Sequence, residues 1–204
     1  MKKILCYGDS NTYGYDAASP FGECLPFKVT WIGRFFDDPV FKDYLFINQG
    51  QNGRCIPRKD WEFQDLEDAC AAHADIVLGT VMLGSNDLCM DPRISMEDMA
   101  AAMEALIRRM LTFPCFREDP RKLLLIAPTP TELGRYGSLG EKCDKKSLEF
   151  APRYREVAAR TGVSFADAGS WGISLMPDGV HFTPDGHAAF ARGLREKLLE
   201  LLPA

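Results

Sequence analysis

The side chains needed to attack an ester occur in two short polar stretches near opposite ends of the chain. Near the start, the apolar run Ile4-Leu5-Cys6-Tyr7 leads straight into Gly8-Asp9-Ser10-Asn11. Near the end, residues 177–187 read "PDGVHFTPDGH", with His181 three residues after Asp178. Serine is a poor nucleophile at neutral pH. Chemistry at Ser10 therefore needs a base to take its proton, a group to orient that base, and donors for the developing oxyanion. The chain has three histidines, His73, His181 and His187. His73, in "ACAAHADI", is expected at a helix end leading into a strand, in a structural role. His187 falls in the first turn of the final helix, where a solvent-facing or capping role is expected. His181 lies in a loop whose spacing lets one segment supply both base and orienting carboxylate.

Two other readings compete. Asp9 and Asp87 flank the loops concerned, and metal-dependent phosphoesterases also use Asp, Asn and His at strand ends. Against that reading, the chain has no D-x-H start, and the His181–His187 spacing fits no usual ligand pair. The expectation is that both aspartates hydrogen-bond loop backbone and that neither a metal nor a cofactor is used. A flavodoxin-like module that binds a ligand without chemistry is the other alternative, but it has no need of serine, asparagine and histidine together.

These residues must be positioned by regular elements. Five apolar runs read as buried strands: residues 4–7, 44–47, 75–83, 122–128 and 163–167. Between them lie helical patterns. Residues 95–112 open on Ser95 as N-cap and place Met99, Met103, Leu106 and Met110 on one face. The last helix has Thr183 as N-cap and Pro184 at its first position, with Phe190, Leu194, Leu198 and Leu201 recurring at helical spacing. Strands alternating with helices imply an α/β fold, a parallel sheet covered on both faces. Sites in such folds lie beyond the carboxyl ends of the strands. Three polar loops follow strands directly there: residues 8–11, 48–55 and 84–87.

Composition narrows the class. With 204 residues, 46% hydrophobic and 26% charged, the chain suits one globular domain spanning residues 1–204. A net charge of −5 without basic clusters argues against nucleic acid or an anionic membrane as partner. The seven scattered cysteines, never spaced C-x-x-C, suit reduced thiols in a cytoplasm. The apolar run after "MKK" is too short for a signal peptide, and no run approaches the roughly 18 apolar residues of a membrane span.

The blocks "GDSN" (8–11), "GQNG" (50–53), "GSND" (84–87) and "DGVH" (178–181), in this order, resemble the signature blocks of the SGNH, or GDSL-type, hydrolases. The resemblance runs from residue 4 to about 202. The phrases "VTWIGRF", "VMLGSNDL" and "FADAGS" are most similar to the arylesterase and acyltransferase branch. It implies a three-layer α/β/α sandwich with five parallel strands in the flavodoxin-like order 2-1-3-4-5. Position by position, it implies Ser10 as nucleophile, His181 as base and Asp178 as its partner. The oxyanion donors would be the backbone N–H groups of Ser10 and Gly53 and the side-chain amide of Asn86. Asn11 stands where the GDSL name has leucine, and is expected to carry no chemistry. Asp9, Asn11, Tyr15, Trp31 and Arg54 are candidates for the substrate pocket, and Tyr13 borders its entrance. The implied activity is a serine esterase acting on short-chain carboxylic esters through an acyl-enzyme, with transfer of the acyl group to alcohols in some relatives. A carbohydrate O-acetyl esterase is the alternative within the same chemistry. The implied partner is a small-molecule ester, and relatives in this branch often form homo-oligomers.

Overall fold

Residues 1–73 and 75–202 are described by a computed structural model, so the last two residues of the domain expected over 1–204 lie outside the described part. The apolar runs form strands β1 (Lys2–Gly8), β2 (Tyr44–Gly50), β3 (Ile76–Met82), β4 (Leu123–Ala127) and β5 (Ser164–Asp167). All neighbouring pairs are parallel, and the sheet order is β2-β1-β3-β4-β5, as expected from the family resemblance. The register matters most for the site. Gly8 at the end of β1 pairs with Gly50 on β2 and Met82 on β3, so the three loops that follow leave one sheet edge side by side.

The helices are α1 (Ser10–Tyr13), α2 (Trp31–Phe36), α3 (Gln64–Ala72), α4 (Ser85–Met90), α5 (Met96–Met110), α6 (Ser138–Ser147), α7 (Phe150–Thr161) and α8 (Pro184–Leu201). Sequence chemistry sets the helix starts. Ser95 Oγ accepts from Asp98 N–H at 3.0 Å, and Thr183 Oγ1 accepts from Gly186 N–H at 2.9 Å, each satisfying a first-turn donor with no partner inside the helix.

One face of the sheet packs against α3, α5 and α7. Met99, Met103, Leu106 and Met110 of α5 join Leu5, Val81, Leu123 and Val157 there. The other face meets α2 and α8, whose Trp31, Phe35, Phe190, Leu194 and Leu198 join Ile4, Leu78, Leu124 and Phe182. Each fully buried side chain of this size contributes about 1.5–3 kcal/mol. Among the described residues, no helix is long and apolar enough to cross a membrane.

Candidate active site

Ser10 sits at the first turn after β1, where the strand's end fixes its backbone. The Asp9 carboxylate accepts from Asn11 N–H at 3.0 Å and so caps α1. His181 arrives from the far end of the chain. Its Nε2 lies 2.9 Å from Ser10 Oγ, and its Nδ1 lies 2.5 Å from Asp178 Oδ2. With Nδ1 keeping its proton and donating it in a hydrogen bond to the carboxylate, Nε2 is left as an acceptor for the serine O–H.

The three-residue spacing between Asp178 and His181 has a definite local geometry. Asp178 Oδ1 accepts from the backbone N–H groups of Val180 and His181, both at 3.0 Å, while Oδ2 meets the imidazole. One carboxylate therefore shapes the turn with one oxygen and orients the ring with the other. Burial works to raise the Asp178 carboxyl, but these hydrogen bonds from His181 and Val180 hold it below its ordinary value. Gly179 makes the turn possible. Its φ is +76°, and a Cβ there would lie 2.4 Å from the Glu132 carbonyl oxygen.

The other two loops place donors at the same edge. Gly53 has φ +74°, and among the described residues its N–H meets no acceptor. A Cβ at this position would touch only Met90 Cε, at 3.8 Å, so the left-handed backbone rather than crowding is what calls for glycine. Asn86 lies in the first turn of α4, and its Nδ2 donates one hydrogen bond to the Arg54 carbonyl at 3.1 Å. Asp87, beside it, accepts from Ile56 N–H at 3.0 Å and pairs with Arg58 at 2.7 Å, so it ties the second and third loops together. Burial raises its carboxyl nonetheless.

Several sequence expectations need correction here. Trp31 does not line a substrate pocket: it is 1% exposed, packs on Phe35 and Phe190, and donates its indole N–H to the Asn11 carbonyl at 3.0 Å. Arg54 turns inward. Its Nη1 donates to the carbonyls of Gly8, at 2.8 Å, and Gln49, and its guanidinium lies 4.3 Å from the Tyr7 ring centroid. Asp9 is buried under the turn it caps, and burial, opposed by the Asn11 hydrogen bond, pushes its carboxyl up to about 6. Asn11, also counted among pocket residues, is 5% exposed and bonds to backbone on both sides of His181. His187 is neither solvent-facing nor a cap. It is fully buried, its Nδ1 accepts weakly from Trp31 N–H at 3.4 Å, and burial drives its pKa down to about 4.

Tyr15 does adjoin the site, with its ring centroid 4.7 Å from that of His181, and Tyr13 is exposed nearby in the chain. The segment after β4 carried no sequence signal, yet it braces the histidine loop. Glu132 N–H donates to Gly179 O at 2.8 Å, and Tyr136 Oη–H donates to Pro177 O at 3.0 Å. Asp144 in turn accepts from Thr131 Oγ1 and the N–H of Leu133, each at 2.7 Å. Such contacts join distant parts of the chain and leave no local pattern.

With this geometry in place, relatives can be compared. The sequence model of the GDSL-like lipase/acylhydrolase family matches residues 6–189. The chain belongs to that family. A comparison with curated protein sequences finds no match. Among solved structures, a carbohydrate acetylesterase family member from Sinorhizobium meliloti is 28% identical, with TM-score 0.82 and 99% of both chains covered. The aryl esterase of M. smegmatis is 27% identical, with TM-score 0.80, covering 99% of this chain and all of that one. A provisionally named arylesterase from Agrobacterium tumefaciens is 29% identical, with TM-score 0.81 and the same coverage. The GDSL-family chain is thus an ester hydrolase by kinship, with an SGNH-hydrolase fold throughout.

Proposed function

We propose that the protein is a serine esterase hydrolysing short-chain carboxylic esters through an acyl-enzyme. The observation that carries this reading is the unbroken line Ser10 Oγ, His181 Nε2, His181 Nδ1, Asp178 Oδ2, with separations of 2.9 and 2.5 Å at its two hydrogen bonds. Ser10 Oγ attacks the ester carbonyl carbon as its proton passes to His181 Nε2, and Asp178 stabilises the imidazolium that forms. The carbonyl oxygen becomes an oxyanion held by the N–H groups of Ser10 and Gly53 and by the Asn86 hydrogen not used on Arg54. Collapse of the intermediate breaks the bond to the alkoxy group, which leaves with the proton from His181. Water, deprotonated by His181, then attacks the acyl-serine and releases the acid, returning the proton to Ser10.

Relatives named as aryl esterase and as carbohydrate acetylesterase support two substrate classes for one mechanism: aryl or alkyl esters of short acids, and O-acetyl groups on sugars. Both deliver a small acyl group to Ser10 and differ in the leaving alcohol. p-Nitrophenyl esters of rising chain length, assayed beside acetylated sugars and with added alcohols as acyl acceptors, decide among hydrolysis of each class and transfer. A fluorophosphonate should label Ser10 alone and abolish activity. Labelling elsewhere, or activity that survives complete labelling, overturns the mechanism.

A further inference from the structure

Asn11 has a place in the site that the family pattern does not assign. It is the chain neighbour of Ser10, and its side chain reaches residues 169 and 171 positions away, the two chain neighbours of His181. Asn11 Nδ2–H donates to the Val180 carbonyl at 3.1 Å, and Asn11 Oδ1 accepts from Phe182 N–H at 2.9 Å. A side-chain amide is the one group of this length that offers a donor and an acceptor together, as a peptide unit does in a β-ladder. Leucine, which names the GDSL block, offers neither. Aspartate keeps the acceptor but sets an anion against the Val180 carbonyl.

We propose that Asn11 is a positioning residue that sets the Ser10–His181 distance by clamping the backbone on both sides of the histidine to the residue after the nucleophile. This rests on the serine-esterase reading of the same site. Asn11 is itself held: Trp31 Nε1–H donates to its carbonyl at 3.0 Å, and Trp31 is anchored among Phe35 and Phe190 in the buried layer beneath. Among the other supports of the histidine loop, Glu132 N–H to Gly179 O at 2.8 Å and Tyr136 Oη–H to Pro177 O at 3.0 Å tie it to the β4 side, and Met176 N–H to His181 O at 2.6 Å ties it to itself. None of these reaches the nucleophile turn. The amide of Asn11 spans from that turn directly to the backbone flanking the base.

Loss of the clamp lets the imidazole shift relative to Ser10 without removing any reacting group, and a displacement of about 1 Å can cost 10²-fold in rate. Asn11→Leu is therefore expected to lower kcat by about 10- to 100-fold with KM within about twofold, and to slow fluorophosphonate labelling of Ser10 in proportion. Asn11→Asp, keeping one of the two bonds, is measured beside it, and Asn11→Ser takes the place of the leucine variant if near-UV circular dichroism shows that variant unfolded. A readout independent of turnover is the low-field proton resonance of the His181 Nδ1–H···Asp178 bond, expected to broaden or move in the variants.

If Asn11 is only a structural staple, the folded variants melt at lower temperature but keep wild-type kcat, labelling rate and resonance, and the proposal is overturned. If wild-type protein itself shows no Ser10-dependent esterase activity, the esterase reading fails instead. The resonance then still decides the clamp: unchanged in the variants, it overturns the proposal, and displaced, it supports it.

Discussion

The loop carrying Ser10 and the loop carrying His181 arrive at one hydrogen bond by contrasting routes. The first is set locally. β1 pins Gly8 between β2 and β3, Asp9 caps α1 from one residue before the serine, and Gly14 closes the helix with φ +93°. The second spans residues 171–183 between the short helical turn after β5 and α8, with no strand to fix it. Its shape comes from the Asp178 turn together with bonds from Asn11, Glu132 and Tyr136, which are remote in sequence. The nucleophile inherits its position from the sheet, whereas the base is assembled from several parts of the chain. Loss of a reacting group in either loop should therefore remove chemistry, whereas damage to the supports should loosen the second loop more than the first.

The largest effect expected is at the nucleophile. Ser10→Ala should lose about 10⁴-fold or more in kcat yet fold as the wild type, because β1 and the Asp9 cap remain. Esterase kinetics with a thermal melt check both halves, and substantial residual activity would deny the serine its role. In the second loop, Asp178→Asn should cost about 10⁴-fold, since an amide no longer enforces the tautomer with Nδ1 protonated. A loss far smaller than this would mean the surrounding backbone bonds alone orient His181. Between the loops, Asn86→Ala removes one oxyanion donor and should cost about 10²–10³-fold in kcat with KM nearly unchanged.

Smaller effects fall on stability. Gly179→Ala forces a left-handed residue to carry a Cβ against the Glu132 carbonyl, and should destabilise by about 1–3 kcal/mol, read from urea unfolding. A variant as stable as wild type would show that the loop relaxes without cost. A second stability effect concerns pH. His187 titrates near ~6.5 when unfolded and near about 4 when buried, so the native state resists its protonation. Stability from this group is lost as pH falls from ~6.5 towards 4, with a limiting slope of about 1.4 kcal/mol per pH unit. Asp9, raised to about 6 by burial, acts in the opposite sense between about pH 6 and 4. His187→Gln deletes only the first contribution, so its urea midpoint should fall less steeply than that of the wild type over this range. Parallel slopes would assign the acid sensitivity elsewhere.

Much of the fold was legible because periodic apolar runs and capping residues act over a few neighbours. The five strands, the cap at Ser95 and the Thr183-Pro184 start of α8 all follow from such local chemistry. What misled were side chains whose surroundings are supplied by distant segments. Trp31 stands in a phrase shared with the arylesterase branch and looks like pocket lining, but tertiary packing turns it inward to hold the Asn11 carbonyl. His187 sits in a helix turn that the sequence alone leaves open to solvent, and α2 together with Phe182 covers it.

The amino-acid order alone was enough for the kinds of group available and the local turns that present them: a serine after a buried strand, and a carboxylate three residues before a histidine. It was enough because strands, caps and Asx turns depend on contacts within a few residues. The way Asn11 joins the two loops, through Val180 on one side of His181 and Phe182 on the other, followed only from the folded arrangement. Those contacts span about 170 residues, and their geometry is set by the sheet order and the packing of α2 and α8 rather than by any neighbouring residue.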